Sequence, residues 1–149
     1  MFPFRKKAKS AKPRKGVNLV KKLDRIFALY IRLRDVMPSG YGKCISCGRI
    51  KAFSELDCGH FFSRTHMSTR FDEDNCHAEC KFCNRISSEH LIGYRDNLLH
   101  KIGQSRLDRL NVLAHSSKHW MDFELEEMIE HYKKEVKRLS ADKGIHVNV

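Results

Sequence analysis

Cys44-Ile-Ser-Cys47 and Cys80-Lys-Phe-Cys83 decide how this chain folds. Each CxxC turn aims two thiolates at one point, and two such knuckles close one tetrahedral zinc site. Four sulfurs complete that shell, so the zinc is structural and keeps no open position for chemistry. It pins the two ends of a 32-residue insert, residues 48–79. The insert holds Asp57-Cys58-Gly59-His60 and Asp74-Asn75, and Asn84 follows the last knuckle cysteine. Cys58 and Cys76, inside the insert, read first as small buried residues, with replacement of a knuckle cysteine as the alternative.

Composition narrows the class. At 149 residues and 41% hydrophobic content the chain is one domain's worth. A unit this small gains from a metal staple. No apolar run approaches the ~20 residues of a membrane span. The basic start, Met1 to Lys7, has no apolar segment behind it and does not read as a secretory signal. Paired CxxC spacing then favours reduced, metal-bound thiols in a cytoplasm over three disulfides.

The net charge of +11 is concentrated. Residues 1–43 carry 13 Lys and Arg against Asp24 and Asp35, whereas the rest of the chain is balanced. A basic arm beside a neutral body is the footprint of binding to a phosphate backbone. The candidate DNA contacts are Arg5, Lys6, Lys7, Lys9, Lys12, Arg14, Lys15, Lys21, Lys22 and Arg25.

Apolar spacing gives the frame. Residues 1–16 lack periodicity and read as a disordered basic arm. Leu19, Val20, Leu23, Ile26, Phe27, Tyr30 and Leu33 predict a helix from Val17 to about Val36, stopped by Pro38-Ser39-Gly40. Lys51 to Phe62 is strand-compatible with a break near Glu55, Ser63 to Asn75 a loop, and Asn75 to Glu79 a second strand. A helix follows the second knuckle and runs toward Ile102, ended by Gly103. Ser105 to His115 predicts a short helix. Asp122 opens a last one with Phe123, Leu125, Met128, Ile129, Tyr132, Val136 and Leu139 on its apolar side. That makes residues 17–140 one zinc-containing domain and 141–149 a flexible tail.

Phosphodiester hydrolysis needs an activated water, a cation for the developing charge, and help for the leaving oxygen. An imidazole deprotonates water near neutral pH, and His60, at the end of the first insert strand, is the candidate base. Asn84 can reach the same cleft, and Asn75 can fix the intervening loop, since an amide bridges donors and acceptors. Arg64 is a candidate contact to the scissile phosphate. Among nine histidines, His77 and His90 are the main competitors.

These residues carry a resemblance. Asp57 to Arg64, Arg70 to Arg85, Leu91 to Arg95 and Lys101 to Gly103 together resemble the phage NinG (Rap) recombination proteins. The likeness runs over roughly Leu19 to Leu139. That family is similar to HNH, or ββα-metal, endonucleases and is associated with branched DNA such as Holliday junctions. The resemblance implies His60 as the first His, Asn75 as the central Asn, and Asn84 as the final metal-ligand position. It also implies cleavage to 5′-phosphate and 3′-hydroxyl ends. Many HNH sites carry an acid or His directly before the base. Here Gly59 stands there, and Asp57 is the nearest acid.

The expected fold is therefore α+β: a small zinc-stapled ββα-metal (HNH-like) core with flanking helices and the basic arm. The expected function is a Mg²⁺- or Mn²⁺-dependent DNA endonuclease of phage recombination, in the cytoplasm of a bacterial host, with Asp57 and Asn84 as ligands of the catalytic ion. The rivals are a non-catalytic zinc module that binds DNA or a recombination partner, and an adaptor that docks through the last helix. That helix would also serve a homodimer. If the arm carries the phosphate contacts, DNA affinity falls steeply with added salt and weakens when residues 1–16 are removed, as an anisotropy titration would report.

Overall fold

The structure is a computed structural model and describes residues 15–149. The arm residues Arg5, Lys6, Lys7, Lys9, Lys12 and Arg14 lie outside the described residues. Among the described residues the fold is mixed α+β, with four α-helices and two small antiparallel sheets. No helix is long and apolar enough to cross a membrane.

Helix α1, Lys15–Asp35, buries Leu23, Ile26, Phe27, Tyr30, Ile31 and Leu33 on the predicted stripe. Helix α4, Asp122–Lys143, buries Leu125, Ile129, Tyr132, Val136 and Leu139. The two stripes pack on each other to form the main core. Phe27 and Tyr132 meet edge-on with ring centroids 4.9 Å apart, and Tyr30 and Tyr132 at 4.8 Å. Each such side chain contributes about 1.5–3 kcal/mol on burial. The amphipathic face expected to dock a partner is thus occupied within the chain by α1.

The half that carries the cysteine knuckles is two hairpins in series. Strands β1, Tyr41–Lys43, and β2, Ile50–Ala52, pair with Tyr41 opposite Ala52, and the first knuckle is their turn. A 3₁₀ turn, Phe53–Glu55, makes the break foreseen near Glu55 and leads into β3, Leu56–His60. β3 pairs with β4, Cys76–Cys80, with Leu56 opposite Cys80 and His60 opposite Cys76. Helix α2, Lys81–Arg85, starts directly from the last residue of β4. β3, β4 and α2 form a strand–strand–helix unit.

Alternation along the hairpin sorts its side chains. Leu56, Cys58, His60, Cys76 and Ala78 share the face toward α1. Asp57, Gly59, His77 and Glu79 share the face toward α2 and the next helix, α3, His90–Ala114. The fully buried Tyr94 of α3 donates its hydroxyl to the Gly59 carbonyl at 2.8 Å. Gly93 lets α3 seat on the first knuckle: a Cβ there would lie 2.2 Å from the Ser46 carbonyl oxygen.

Two expectations change. The helix after the second knuckle is two helices, because α2 ends at Arg85 and α3 begins only at His90. α3 itself is two helices joined at Gly103, whose φ of 81° and ψ of 165° are not helical, so the helix end expected at Gly103 and the separate short helix expected from Ser105 are both found. Both halves bury leucines in one cluster, Leu98 before the break and Leu107 and Leu110 after it, so the two pack together. The stretch read as a flexible tail holds the end of α4 and two packed side chains, Ile145 and Val147. Lys143 reaches back to donate to the Leu33, Arg34 and Val36 carbonyls at the end of α1.

His77 is a core histidine. Its ring lies 3.5 Å from the Tyr94 hydroxyl, and burial, with Lys101 nearby, pushes its imidazole down to about 3. A depressed folded value means the unfolded chain binds the extra proton first. The associated stability is present above the unfolded value of about 6.5 and is lost as pH falls toward 3. Between pH 7 and 4.5 this one group is expected to remove roughly 2–3 kcal/mol. Urea unfolding at the two pH values should show that slope reduced in His77→Asn.

Candidate metal centre and active-site groove

The four knuckle cysteines converge. Cys44, Cys47, Cys80 and Cys83 place their sulfurs within 4.8 Å of one another. All four are free thiols, and only Cys47 is exposed. The Cys47 and Cys80 sulfurs are 3.9 Å apart. Tetrahedral zinc with bonds of ~2.3 Å puts ligand sulfurs about 3.8 Å apart, so the donor set fits that ion. The backbone supports the same use. Cys80 N–H donates to the Cys44 sulfur at 3.2 Å, a bond that favours thiolate. Burial opposes ionisation at Cys47, yet the Arg49 N–H and the neighbouring thiols hold it below the ordinary range. The cluster can hold a structural metal ion.

A second group, Cys58, His60 and Cys76, also brings its donor atoms within 4.8 Å. Burial, with the Cys58 thiol beside it, holds the Cys76 thiol well above its ordinary range. Cys58 and Cys76 sit packed in the core with Phe27 and Phe71.

His60 closes β3. Its Nε2 lies 3.0 Å from the Arg70 carbonyl oxygen. A carbonyl only accepts, so Nε2 carries the proton and Nδ1 is the basic nitrogen. Burial first, and the Arg64 guanidinium second, lower its pKa. The imidazole is therefore neutral at physiological pH, the form able to take a proton. Arg70 was not singled out from sequence, where it looks like any surface cation. It is fastened to α1 by a two-pronged pair with Asp24, Nε to Oδ1 at 3.0 Å and Nη2 to Oδ2 at 2.6 Å. Asp24 thus fixes the carbonyl that orients His60.

Asn75 is fully buried. Its Oδ1 accepts from Phe62 N–H at 2.8 Å, and its Nδ2 donates to the Phe62 and Thr69 carbonyls at 3.0 Å each. One amide closes both ends of the loop between β3 and β4. The outer side of that loop is tied to α3, through Arg106 to Asp74 and Arg109 to Asp72 at 3.0 Å.

A groove of about 550 Å³ runs along the free edge of β3, lined by His60, Arg64, His66, Asn84 and His90 among others. The groove edge brings together side chains from both faces of the hairpin. Arg64 is exposed at its rim. Asp57 and Asn84 meet at 3.1 Å, Asn84 Nδ2 donating to the carboxylate. Asp57 also takes two bonds from Arg85, at 2.7 and 2.8 Å. Burial would raise its pKa, but Arg85 and Asn84 hold the carboxyl below the usual range. Asp57 lies on the opposite face of β3 from His60, is paired with Arg85, and does not stand beside His60. Of the remaining candidates, Lys21, Lys22 and Arg25 are exposed on α1, and Lys15 pairs with Glu126 at 3.1 Å.

With the geometry in place, comparison supplies the family. The family model described as Bacteriophage Lambda NinG protein matches residues 3–142, and the chain belongs to that family. Protein ninG of Escherichia phage 933W is 34% identical over 99 residues, covering 64% of this chain and 47% of that protein. Protein ninG of Escherichia phage lambda is 33% identical over the same length and with the same coverage. Protein ninG of Enterobacteria phage H19B is 36% identical over 80 residues, 52% of this chain and 38% of that protein. The chain spans about half the length of the first of these relatives. No solved structure matches it.

If the knuckles share one ion, chelation should release a single equivalent per chain. It should also lower the thermal midpoint by on the order of ten degrees. Cys83→Ser should do both without chelator, measured by elemental analysis and calorimetry.

Proposed function

We propose that this chain is a divalent-metal-dependent DNA endonuclease of the HNH type that acts on branched DNA, such as four-way junctions, in phage recombination. The observation that carries the reading is His60. It is a neutral imidazole at the end of β3, its Nε2 proton fastened to the Arg70 carbonyl, on a groove shared with Asn84 and Arg64. The strand–strand–helix order around it and the family membership support the same class.

In this reading His60 Nδ1 takes the proton from the attacking water. Asn75 holds the loop whose backbone sets the His60 ring. Arg64 meets the phosphate at the groove rim. Asn84, whose Oδ1 is left to accept once Nδ2 is committed to Asp57, offers an oxygen to a Mg²⁺ or Mn²⁺ ion, with Asp57 adding charge behind it. When bound, the ion supplies positive charge to the scissile phosphate and the leaving oxygen. Zinc at the knuckles keeps the unit rigid. The exposed cations of α1, with the arm, hold the DNA backbone, and the protein works in the host cytoplasm.

One observation favours the rival of a non-catalytic zinc module that binds DNA: Asp57 already pairs with Arg85, and Gly59 has no side chain to bind an ion. His60→Ala separates the two. Zinc-loaded protein is tested on a four-way junction, linear duplex and single strands, with Mg²⁺, Mn²⁺ or EDTA. The nuclease loses at least a hundredfold in cleavage rate on substitution while junction binding holds within about twofold. Metal-dependent cuts that persist at the wild-type rate would discard His60 as base, and binding without cuts under every metal would favour the rival.

A further inference from the structure

The hairpin face toward α2 and α3 carries an acid that the mechanism above leaves unused. Glu79 is the register partner of Asp57 and is 0% exposed. Its Oε1 accepts from the Ser46 hydroxyl at 2.6 Å and from His90 Nδ1 at 2.6 Å. Its Oε2 is buried with no hydrogen-bond partner among the described residues. A buried carboxylate costs several kcal/mol unless its oxygens are satisfied, so a half-satisfied one needs a reason.

Gly59 shows where that oxygen points. A Cβ built on Gly59 would lie 2.2 Å from Glu79 Oε2 and 2.7 Å from Glu79 Cβ. The space that a side chain before the base would fill is taken by the Glu79 carboxylate. Glycine at 59 and glutamate at 79 are therefore one arrangement: a larger residue at 59 would displace the acid.

His90 connects this acid to the groove. It lies at the first residue of α3 and lines the same groove as His60 and Asn84. A carboxylate oxygen accepts, so His90 Nδ1 donates to Glu79, and the nitrogen that an imidazole offers a metal ion on this side is Nε2. An imidazole backed by a buried carboxylate is the arrangement that orients histidine ligands of metal ions.

We propose that His90, positioned by Glu79, is an imidazole ligand of the divalent cation in this groove, alongside Asn84, in place of the side chain that Gly59 lacks. The proposal rests on the nuclease reading for what the ion does, but not for whether it binds. Glu79 is a positioning residue through its bond to His90. An imidazole among the donors selects first-row divalent ions over Mg²⁺.

The test is direct binding of Mn²⁺ to full-length zinc-loaded protein, followed by electron paramagnetic resonance, for wild type, His90→Ala and Glu79→Gln. The expected result is one Mn²⁺ site in wild type, tighter than for Mg²⁺ in competition. Affinity should fall at least tenfold in His90→Ala and by a smaller factor in Glu79→Gln, with zinc content unchanged. Wild-type affinity in His90→Ala, or no Mn²⁺ site in wild type, overturns the proposal. His90 is only half-buried at a helix start, so its variant decides the matter even if Glu79→Gln fails to fold. Failure here is distinct from failure of the nuclease reading. Metal-dependent, His60-dependent cutting that survives His90→Ala with its Mn²⁺ affinity intact sinks only this proposal. Mn²⁺ binding lost in His90→Ala, in a wild type that cuts nothing, sinks only the nuclease.

Discussion

Four sulfurs within 4.8 Å of one another constrain everything built around them. Thiolates at that spacing repel unless a cation lies among them, and the cluster joins two segments more than thirty residues apart. One pair sits in the β1–β2 turn, the other where β4 becomes α2. Joining them sets the start of α2 against the end of the first hairpin. That juxtaposition places Asp57 and Asn84 in contact and gives α3 a seat on Ser46 through Gly93.

The loop from Phe61 to Asn75 has little regular structure, so polar contacts hold it. Asn75 joins its two ends with three hydrogen bonds from one buried amide. Arg106 and Arg109 clamp Asp74 and Asp72 from α3, while Tyr30 and Tyr132 both donate to Glu73, at 2.8 and 3.1 Å. Arg70 and Asp24 complete the frame from α1. These contacts converge from three helices on one loop, and the carbonyl that orients His60 belongs to it. An imidazole set by backbone keeps its tautomer as long as the loop keeps its shape.

Much of the site was legible because its signals are local. CxxC spacing, the placing of His60 at a strand end, and the amide at Asn75 all depend on a few neighbouring residues. The apolar stripes of α1 and α4 were legible too, but not that each is the other's partner: periodicity names a buried face and never what buries it. The same gap explains the last helix, read as a docking surface, and the C-terminal stretch, read as loose. Gly103 was legible as a helix end, because glycine takes the positive φ that the break requires.

By itself the sequence determined the knuckles, the order strand–strand–helix, the basic first third and the identity of a candidate base, since each follows from residue type and spacing along the chain. The tertiary structure alone decided which acids meet which cations. Asp57 with Arg85, Asp24 with Arg70 and Glu79 with His90 are separated by 28, 46 and 11 residues, and no spacing rule predicts such pairs. They arise from how two hairpins and three long helices pack. Charges buried by that packing must find partners within about 3 Å, whatever their distance along the chain.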